Sequence, residues 1–253
     1  MDIIKTVKDW VPEYRIIKSG CNTIGFVPTM GALHVGHGSL IRKSREENKI
    51  SVVSIYVNPT QFNDPEDFRN YPVTLESDLK ILEELGVDYL FLPAFREMYP
   101  DEYKFFVDET ALSRLLCGAS RPGHFRGVLT VVMKLLNIIK ADRAYFGEKD
   151  YQQYLLIKGM AEAFFLGTEI VPMPVIREES GLALSSRNRL LDEKSKQKAP
   201  EFHRLLSAAI PKEEVFRLLE KEGFAVDYVE EIGNRRFGAV FLGGIRLIDN
   251  VRI

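Results

Sequence analysis

The chain is predicted to be an α/β protein, a Rossmann-like doubly wound parallel sheet with a smaller C-terminal α+β domain. Three observations carry this prediction. From Ile24 to Ile176, apolar β-branched runs alternate with amphipathic helical stretches, the pattern of βαβ units around a parallel sheet. The first run, Ile24-Gly25-Phe26-Val27, breaks at Pro28 into a glycine-containing turn and then a helix. An open α/β sheet offers free backbone N–H groups and a helix dipole to an anion at such a turn. Beyond about Leu190 the pattern changes to two helical stretches and three short strand-like runs, so residues 1–175 are assigned to the first unit and 176–253 to the second.

Taken in order, Ile3 to Lys18 reads as a helix, with Ile3, Val7, Trp10 and Tyr14 on one face and Pro12 as an interruption. The strand at Ile24 leads through Thr29-Met30-Gly31 and His34-Val35-Gly36-His37 into a helix that runs to Asn48. Ile50 to Val57 is β-branched and reads as a central strand ending in the polar turn Asn58-Pro59-Thr60-Gln61-Phe62. Thr74 offers an N-cap to a helix with Leu75, Leu79, Leu82 and Leu85 behind it and Gly86 at its end. Val87 to Leu92 is the third strand. Pro93 to Arg121 is irregular and precedes the basic loop Arg121-Pro122-Gly123-His124-Phe125-Arg126-Gly127 and an amphipathic run, Val128 to Ile139. Arg143 to Gly147 is the fourth strand, followed by a helix to Leu166, and Glu169 to Ile176 is the fifth. The second unit is read as helices Glu193–Ile210 and Lys212–Glu222, then strands Val226–Ile232, Ala239–Leu242 and Ile245–Ile248.

Composition narrows the function classes. The 253 residues are 45% hydrophobic and 28% charged with a formal net charge of −2, which suits a soluble globular protein and gives no pull toward nucleic acid or anionic membrane. Cys21 and Cys117 stand alone, without CxxC or metal-ligand spacing, as free thiols in a reducing compartment. The N-terminus carries charges every few residues and reads as no signal peptide. Val128 to Ile139 is too short to cross a bilayer and is broken by Lys134, so a cytoplasmic protein is expected.

Polar clusters fall at the ends of the predicted strands: His34/His37, Asn58/Gln61, Arg121/His124, Lys149/Asp150/Gln153 and Ser185/Ser186/Arg187. Two imidazoles, a lysine, an arginine and two hydroxyls suit a triphosphate, where they would stabilise charge at the α-phosphorus and on departing pyrophosphate. A P-loop is excluded. Gly31 and Gly36 have the Walker spacing, but His37-Gly38 stand where Lys and Ser/Thr are required.

Five motifs, PTMGALHVGH, NPTQF, RPGHFRGV, FGEKDYQQ and LALSSRN, occur in order over nearly the whole chain and closely resemble those of the pantothenate synthetase (pantoate–β-alanine ligase) family, within the HxGH nucleotidyltransferase superfamily. The resemblance implies ATP-dependent condensation of (R)-pantoate with β-alanine to pantothenate, AMP and pyrophosphate through a pantoyl adenylate. It places ATP across Met30, Gly31, Ala32, Leu33, His34, Val35, Gly36 and His37 and across Gly147, Glu148, Lys149 and Asp150. Ile176 would lie at the adenine edge and Leu184, Ser185, Ser186 and Arg187 at the triphosphate. His37, His34, Lys149 and Arg187 are implied as the catalytic groups, with His37 a charge stabiliser first. Gln61 is implied for pantoate and β-alanine, Gln153 for pantoate, and Asp78 for Mg²⁺, although Ser77 stands before it where some relatives carry a second acid. Arg121 and His124 are given a supporting role. The resemblance further implies Mg²⁺ with ATP, no permanently bound cofactor and a homodimer; the charge balance points to no nucleic-acid or membrane partner, and an acyl adenylate that must be shielded from water leads to the expectation that the C-terminal domain closes over the site.

Rival readings meet particular residues. An HxGH enzyme that leaves AMP on a phosphate acceptor needs a basic acceptor pocket, whereas Gln61 and Gln153 are neutral amides. A class I synthetase would need a part that binds tRNA, and the sequence offers none. A nucleotide sensor without catalysis has no use for the full set of His, Lys and Ser-Arg groups.

Overall fold

The computed structural model describes residues 1–253 and holds two sheets. The larger has six parallel strands, β1 (Asp2–Ile4), β2 (Ile24–Thr29), β3 (Ile50–Ile55), β4 (Tyr89–Phe91), β5 (Arg143–Gly147) and β6 (Glu169–Met173), in the order β1-β4-β3-β2-β5-β6. Around them run α1 (Val7–Ser19), α2 (Val35–Glu47), α3 (Pro65–Arg69), α4 (Leu75–Glu84), α5 (Phe95–Met98), α6 (Cys117–Ser120), α7 (His124–Ile139) and α8 (Tyr151–Ala163). After β2 the chain builds outward through β3 and β4, then returns to lay β5 on the other side of β2. The loops after β2 and β5 therefore part at the reversal of strand order, where a doubly wound sheet opens a ligand crevice.

Period-two alternation explains why both faces of this sheet are covered. Phe26, Val52, Phe91, Ala144 and Phe146 face a core shared with α1, α7 and α8. Their neighbours Val27, Val53, Leu90 and Tyr145 face the opposite way, against Ile41 of α2 and Leu82 of α4. Each fully buried aliphatic or aromatic side chain here contributes roughly 1.5–3 kcal/mol. The central element is α7, with eleven of its sixteen residues buried, which is why its sequence reads as nearly continuous apolar character.

The structure departs from the sequence reading at several elements. Asp2–Ile4 is a strand, not the start of a helix; it pairs with Tyr89–Phe91 at the sheet edge and is too short to show alternation. Thr6 then caps α1 by accepting from the Asp9 N–H at 3.1 Å, and Pro12 lies inside the helix on its exposed side without ending it. Helix α7 begins at His124, four residues before the apolar run, because Gly123 (φ +83°) turns the chain into it. The stretch expected as one helix from Glu193 splits at Ala199-Pro200 into α9 (Glu193–Lys198) and α10 (Pro200–Leu206), since proline supplies no N–H to continue the ladder.

The smaller sheet is antiparallel, β7 (Ala225–Ile232), β8 (Arg235–Leu242) and β9 (Ile245–Arg252), packed with α10 and α11 (Lys212–Lys221). One face, with Val229, Val240, Leu242 and Leu247, makes a second core with Phe202, Leu206, Val215 and Leu219. On the other face Tyr228 and Ile248 join the core of the large sheet. All three strands are longer than expected, because β8 opens with Arg235 and Arg236, two arginines that are both 4% exposed.

Candidate active site

The loops after β2 and β5, the turn after β3, the start of α7 and the 182–190 strap line one cleft of about 1340 Å³ between the two sheets. The β2–α2 turn is the most constrained of these. Gly31 and Ala32 both take positive φ (+80° and +50°), a conformation that costs a non-glycine residue roughly 1–2 kcal/mol. Asp78 of α4, 1% exposed, accepts the Ala32 N–H at 2.9 Å on one oxygen and the Leu33 N–H at 2.8 Å on the other. Hydrogen bonds to a charged group contribute about 1.5–3 kcal/mol each, so the pair outweighs the strain. Thr74 also donates to Asp78, at 3.1 Å, and does not cap α4 with its side chain as expected.

The turn delivers His34 as the N-cap of α2 and His37 one turn in. The Gly36 N–H donates to His34 Nδ1 at 3.1 Å, and the His34 N–H donates to His37 Nδ1 at 3.4 Å. Both Nδ1 atoms accept, so each neutral ring carries its proton on Nε2. A Cβ on Gly36 would stand 2.8 Å from the His34 ring, so this position admits only glycine if His34 is to fold back over the helix start. Burial first, then Lys149 and Arg189 nearby, push His34 down to about 4. Burial, His34 itself and the same two cations push His37 down to about 3. Both rings are neutral at pH 7 and offer donors without carrying charge.

Lys149 enters from the β5–α8 turn, with Asp150 3.8 Å away. Ser185 accepts the Arg187 N–H at 3.3 Å and so starts the 3-10 turn Ser186–Leu190. The Arg187 guanidinium lies 2.9 Å from Asp67 of α3, which is also 3.9 Å from Arg121. Arg189 reaches back to the Leu33 carbonyl at 3.1 Å, tying the strap to the first turn.

At the other end Gln61 Nε2 donates to Met30 Sδ at 3.1 Å. It is placed by Asn58, a buried residue whose amide donates to Gln61 Oε1 (3.1 Å) and to the Gly127 carbonyl (3.2 Å) while its oxygen accepts from Tyr99 (2.9 Å). A Cβ on Gly127 would lie 2.4 Å from the Thr60 carbonyl oxygen, and this close approach is why α7 needs glycine there. His124 is a strut. Its Nδ1 donates to the Gln61 carbonyl at 2.8 Å and its Nε2 accepts from Arg121 at 3.4 Å, while burial and then Arg121 push it down to about 3. Gln152 is spent on the carbonyls of Leu112 and Leu115, and Gln153 lines the cleft.

Of the positions expected to touch ATP, Met30, His34, Gly36, His37, Gly147, Lys149, Asp150, Ile176, Leu184, Ser185, Ser186 and Arg187 line this cleft. Ala32 and Leu33 are instead core residues, 0% and 1% exposed, Val35 faces solvent, and the Glu148 carboxylate turns to Arg235 at 3.3 Å. Asp78, expected at Mg²⁺, does not fit a ligand's role. It lies behind the turn with its oxygens engaged by three donors, and the structure has no group of three or more His, Cys, Asp or Glu side chains arranged to hold a metal ion. Sequence reasoning left Asn58 without a role of its own; its place in the NPTQF motif was the available signal.

A Rossmann-like sheet whose switch-point loops bring two imidazoles and a lysine to one cleft defines an enzyme of nucleotidyl transfer. More narrowly, the chain belongs to the pantoate–β-alanine ligase family, whose model, described as Pantoate-beta-alanine ligase, matches residues 1–252. It is 54% identical over 231 residues to the pantothenate synthetase of Bdellovibrio bacteriovorus, covering 91% of this chain and 92% of that one. It is 49% identical over 255 residues to that of Legionella pneumophila, covering 99% of each. Among solved structures, the pantoate-beta-alanine ligase of Francisella tularensis, complexed with beta-gamma ATP and beta-alanine, superposes with a TM-score of 0.93 at 43% identity, covering 100% of this chain and 97% of that one. The pantothenate synthetase of Thermus thermophilus gives 0.90 at 39%, covering 100% and 99%.

Two outcomes are expected. In NMR titrations of the free protein, His34, His37 and His124 keep neutral-ring shifts from pH 8 down to about 5, because each folded value lies below the unfolded 6.5. The unfolded chain then binds protons first, so their contribution to stability is full above about pH 6.5 and falls away toward pH 3. An inflection near 6.5 for any of the three contradicts this account. Second, Asp78→Asn places an amide against two backbone N–H groups and lowers unfolding free energy by about 2–4 kcal/mol in urea, with or without Mg²⁺; wild-type stability with a changed Mg²⁺ requirement would return Asp78 to the metal.

Proposed function

We propose that this cleft joins pantoate to β-alanine in two half-reactions and that the residues gathered at the switch point serve the first. In that step the pantoate carboxylate attacks the α-phosphorus of ATP, the bond to the β-phosphate breaks, and pyrophosphate leaves. In the second the neutral amine of β-alanine attacks the acyl carbon, AMP departs with the bonding pair, and the amine loses a proton. The observation that carries this reading is the pairing of His34 and His37, whose Nδ1 atoms are both engaged, leaving two Nε2–H donors at the head of α2 beside Lys149. Adenylation moves charge rather than protons, so its demand is for fixed donors around the phosphates.

Lys149 and the N-terminus of α2 take the phosphates with the two histidines. Ser185, Ser186 and Arg187 hold the β- and γ-phosphates, Arg187 exchanging the Asp67 carboxylate for a phosphate oxygen. The neutral amides of Gln61 and Gln153 suit the hydroxyls and carboxylate of pantoate, and Gln61 also lies toward β-alanine. No covalent enzyme intermediate is needed. Mg²⁺ belongs to the ATP substrate as its counter-ion, and Asp78 contributes through the turn. Residues 176–253 cover the cleft as a lid unit held in place on the Lys149 turn, and the protein works as a cytoplasmic homodimer.

The test is pyrophosphate release from Mg-ATP with pantoate alone, followed by AMP formation on adding β-alanine. Release should require pantoate, and AMP with an amide product should require β-alanine; ATP binding without pantoate-dependent release would make the protein a sensor. Lys149→Ala or His37→Ala should slow the first step by at least about 10²-fold, the scale of losing one charge-stabilising donor. Gln153→Ala should raise KM for pantoate more than for ATP.

A further inference from the structure

The last strand of the small sheet carries two consecutive residues that reach the two ATP loops from opposite faces. Asp249 lies on the face of the second core and receives Arg177 at 2.6 and 2.9 Å and His203 at 3.0 Å. Arg177 also donates to the Gly181 carbonyl at 3.1 Å, and its backbone bridges Ala183, so it shapes the strap that ends in Ser185–Arg187. Asn250, next in the strand, points the other way. Its amide donates to the Glu148 carbonyl at 2.9 Å and the Lys149 carbonyl at 3.0 Å. Its Oδ1 accepts from Arg235, whose guanidinium also reaches Glu148 at 3.3 Å and lies 3.7 Å over the ring of Tyr151, the first residue of α8.

Asn250 and Arg235 are 3% and 4% exposed. Burying an amide and a guanidinium is costly unless their donors are met, and here the partners are the backbone and side chains of the 148–151 turn. The two carbonyls that Asn250 holds flank the peptide unit from which the Lys149 side chain departs. The large domain alone supplies no side chain to either carbonyl.

We propose that Asn250 is a positioning residue for adenylation: by gripping the Glu148 and Lys149 carbonyls, with its own amide locked by Arg235, it fixes the direction in which Lys149 enters the cleft, and through adjacent Asp249 it registers that lysine with the Ser185–Arg187 strap. The proposal rests on the reading of Lys149 as a phosphate ligand. A small misplacement of a charge-stabilising group is enough to slow the step it serves, whereas misplacing a side chain that is absent costs nothing.

The experiment is a cycle of wild type, Asn250→Ala, Lys149→Ala and the double variant, read as pantoate-dependent pyrophosphate release at saturating substrates. Asn250→Ala should lower kcat of this step at least about tenfold, and the double variant should be within about twofold of Lys149→Ala alone. Conversion of supplied pantoyl adenylate with β-alanine should stay within about twofold of wild type in Asn250→Ala, because no phosphate is then transferred. Losses that multiply in the double variant, an equal fall in both half-reactions, or an unchanged adenylation rate in Asn250→Ala would overturn the proposal. Full activity of Lys149→Ala would remove the lysine reading and the proposal together, while a dead Lys149→Ala beside a normal Asn250→Ala would remove the proposal alone. Arg235→Lys, which keeps the charge but loses the planar clamp, is carried through the same cycle with the same criteria and decides the matter if Asn250→Ala does not fold.

Discussion

The Asp78 carboxylate is the fixed point from which the site is built. A chain that leaves a buried parallel strand and starts a helix within a few residues must turn sharply, and here it does so through two consecutive left-handed positions, Gly31 and Ala32. Asp78 holds the Ala32 and Leu33 N–H groups, and it does so from α4, which packs on the same face of the sheet as α2. The direction of α2, the folding of His34 over Gly36 and the engagement of both Nδ1 atoms, which leaves the protons on Nε2, all follow from that turn. A charged residue is at home in this interior because three donors meet it, the condition under which a buried carboxylate is tolerable.

The electrostatics of the cleft run against its appearance in sequence. Clusters of His, Lys and Arg suggest a strongly cationic pocket, yet the two histidines are neutral and Arg187 and Arg121 share Asp67. Charge is thus held in reserve. On the proposed reading, a polyphosphate would meet imidazole donors that are already desolvated and held by their Nδ1 contacts. Preorganised donors of this kind need no reorganisation as charge shifts toward the departing pyrophosphate.

Much of this was legible in the sequence, and the exceptions have physical causes. The parallel sheet could be read because its central strands, β2 and β3, are buried on both faces and rich in apolar and β-branched residues, and the cleft loops could be read because their motifs carry short-range geometry. The edge strand Asp2–Ile4 is too short for periodicity to act on. Arg235 and Arg236 fall outside the expected strand Ala239–Leu242; they are buried because Asn250 and Glu148 satisfy the one, and Glu231 with the carbonyls of Leu206, Ala208 and Ile210 satisfies the other. Asp78 shows a related limit: residue type shows that a carboxylate needs partners, but not whether they are cations or backbone N–H groups more than forty residues away in the chain.

The junction between the two sheets bears on how the second half of the chain works. A lid that closes freely needs a neutral, weakly directional hinge. This junction is instead made of directional contacts: the buried Asn250 on the Lys149 turn, Arg235 stacked on Tyr151, and, nearer the surface, Ser120 donating at 2.8 Å to Asp227, which Arg246 also binds at 2.7 Å. Such contacts stabilise one arrangement and penalise its neighbours, because each partner left behind is a buried polar group without a bond. The sheet therefore cannot swing away and leave the Lys149 turn as it was. The contacts that seat the small sheet on the large one are thus the same contacts that hold the Lys149 turn.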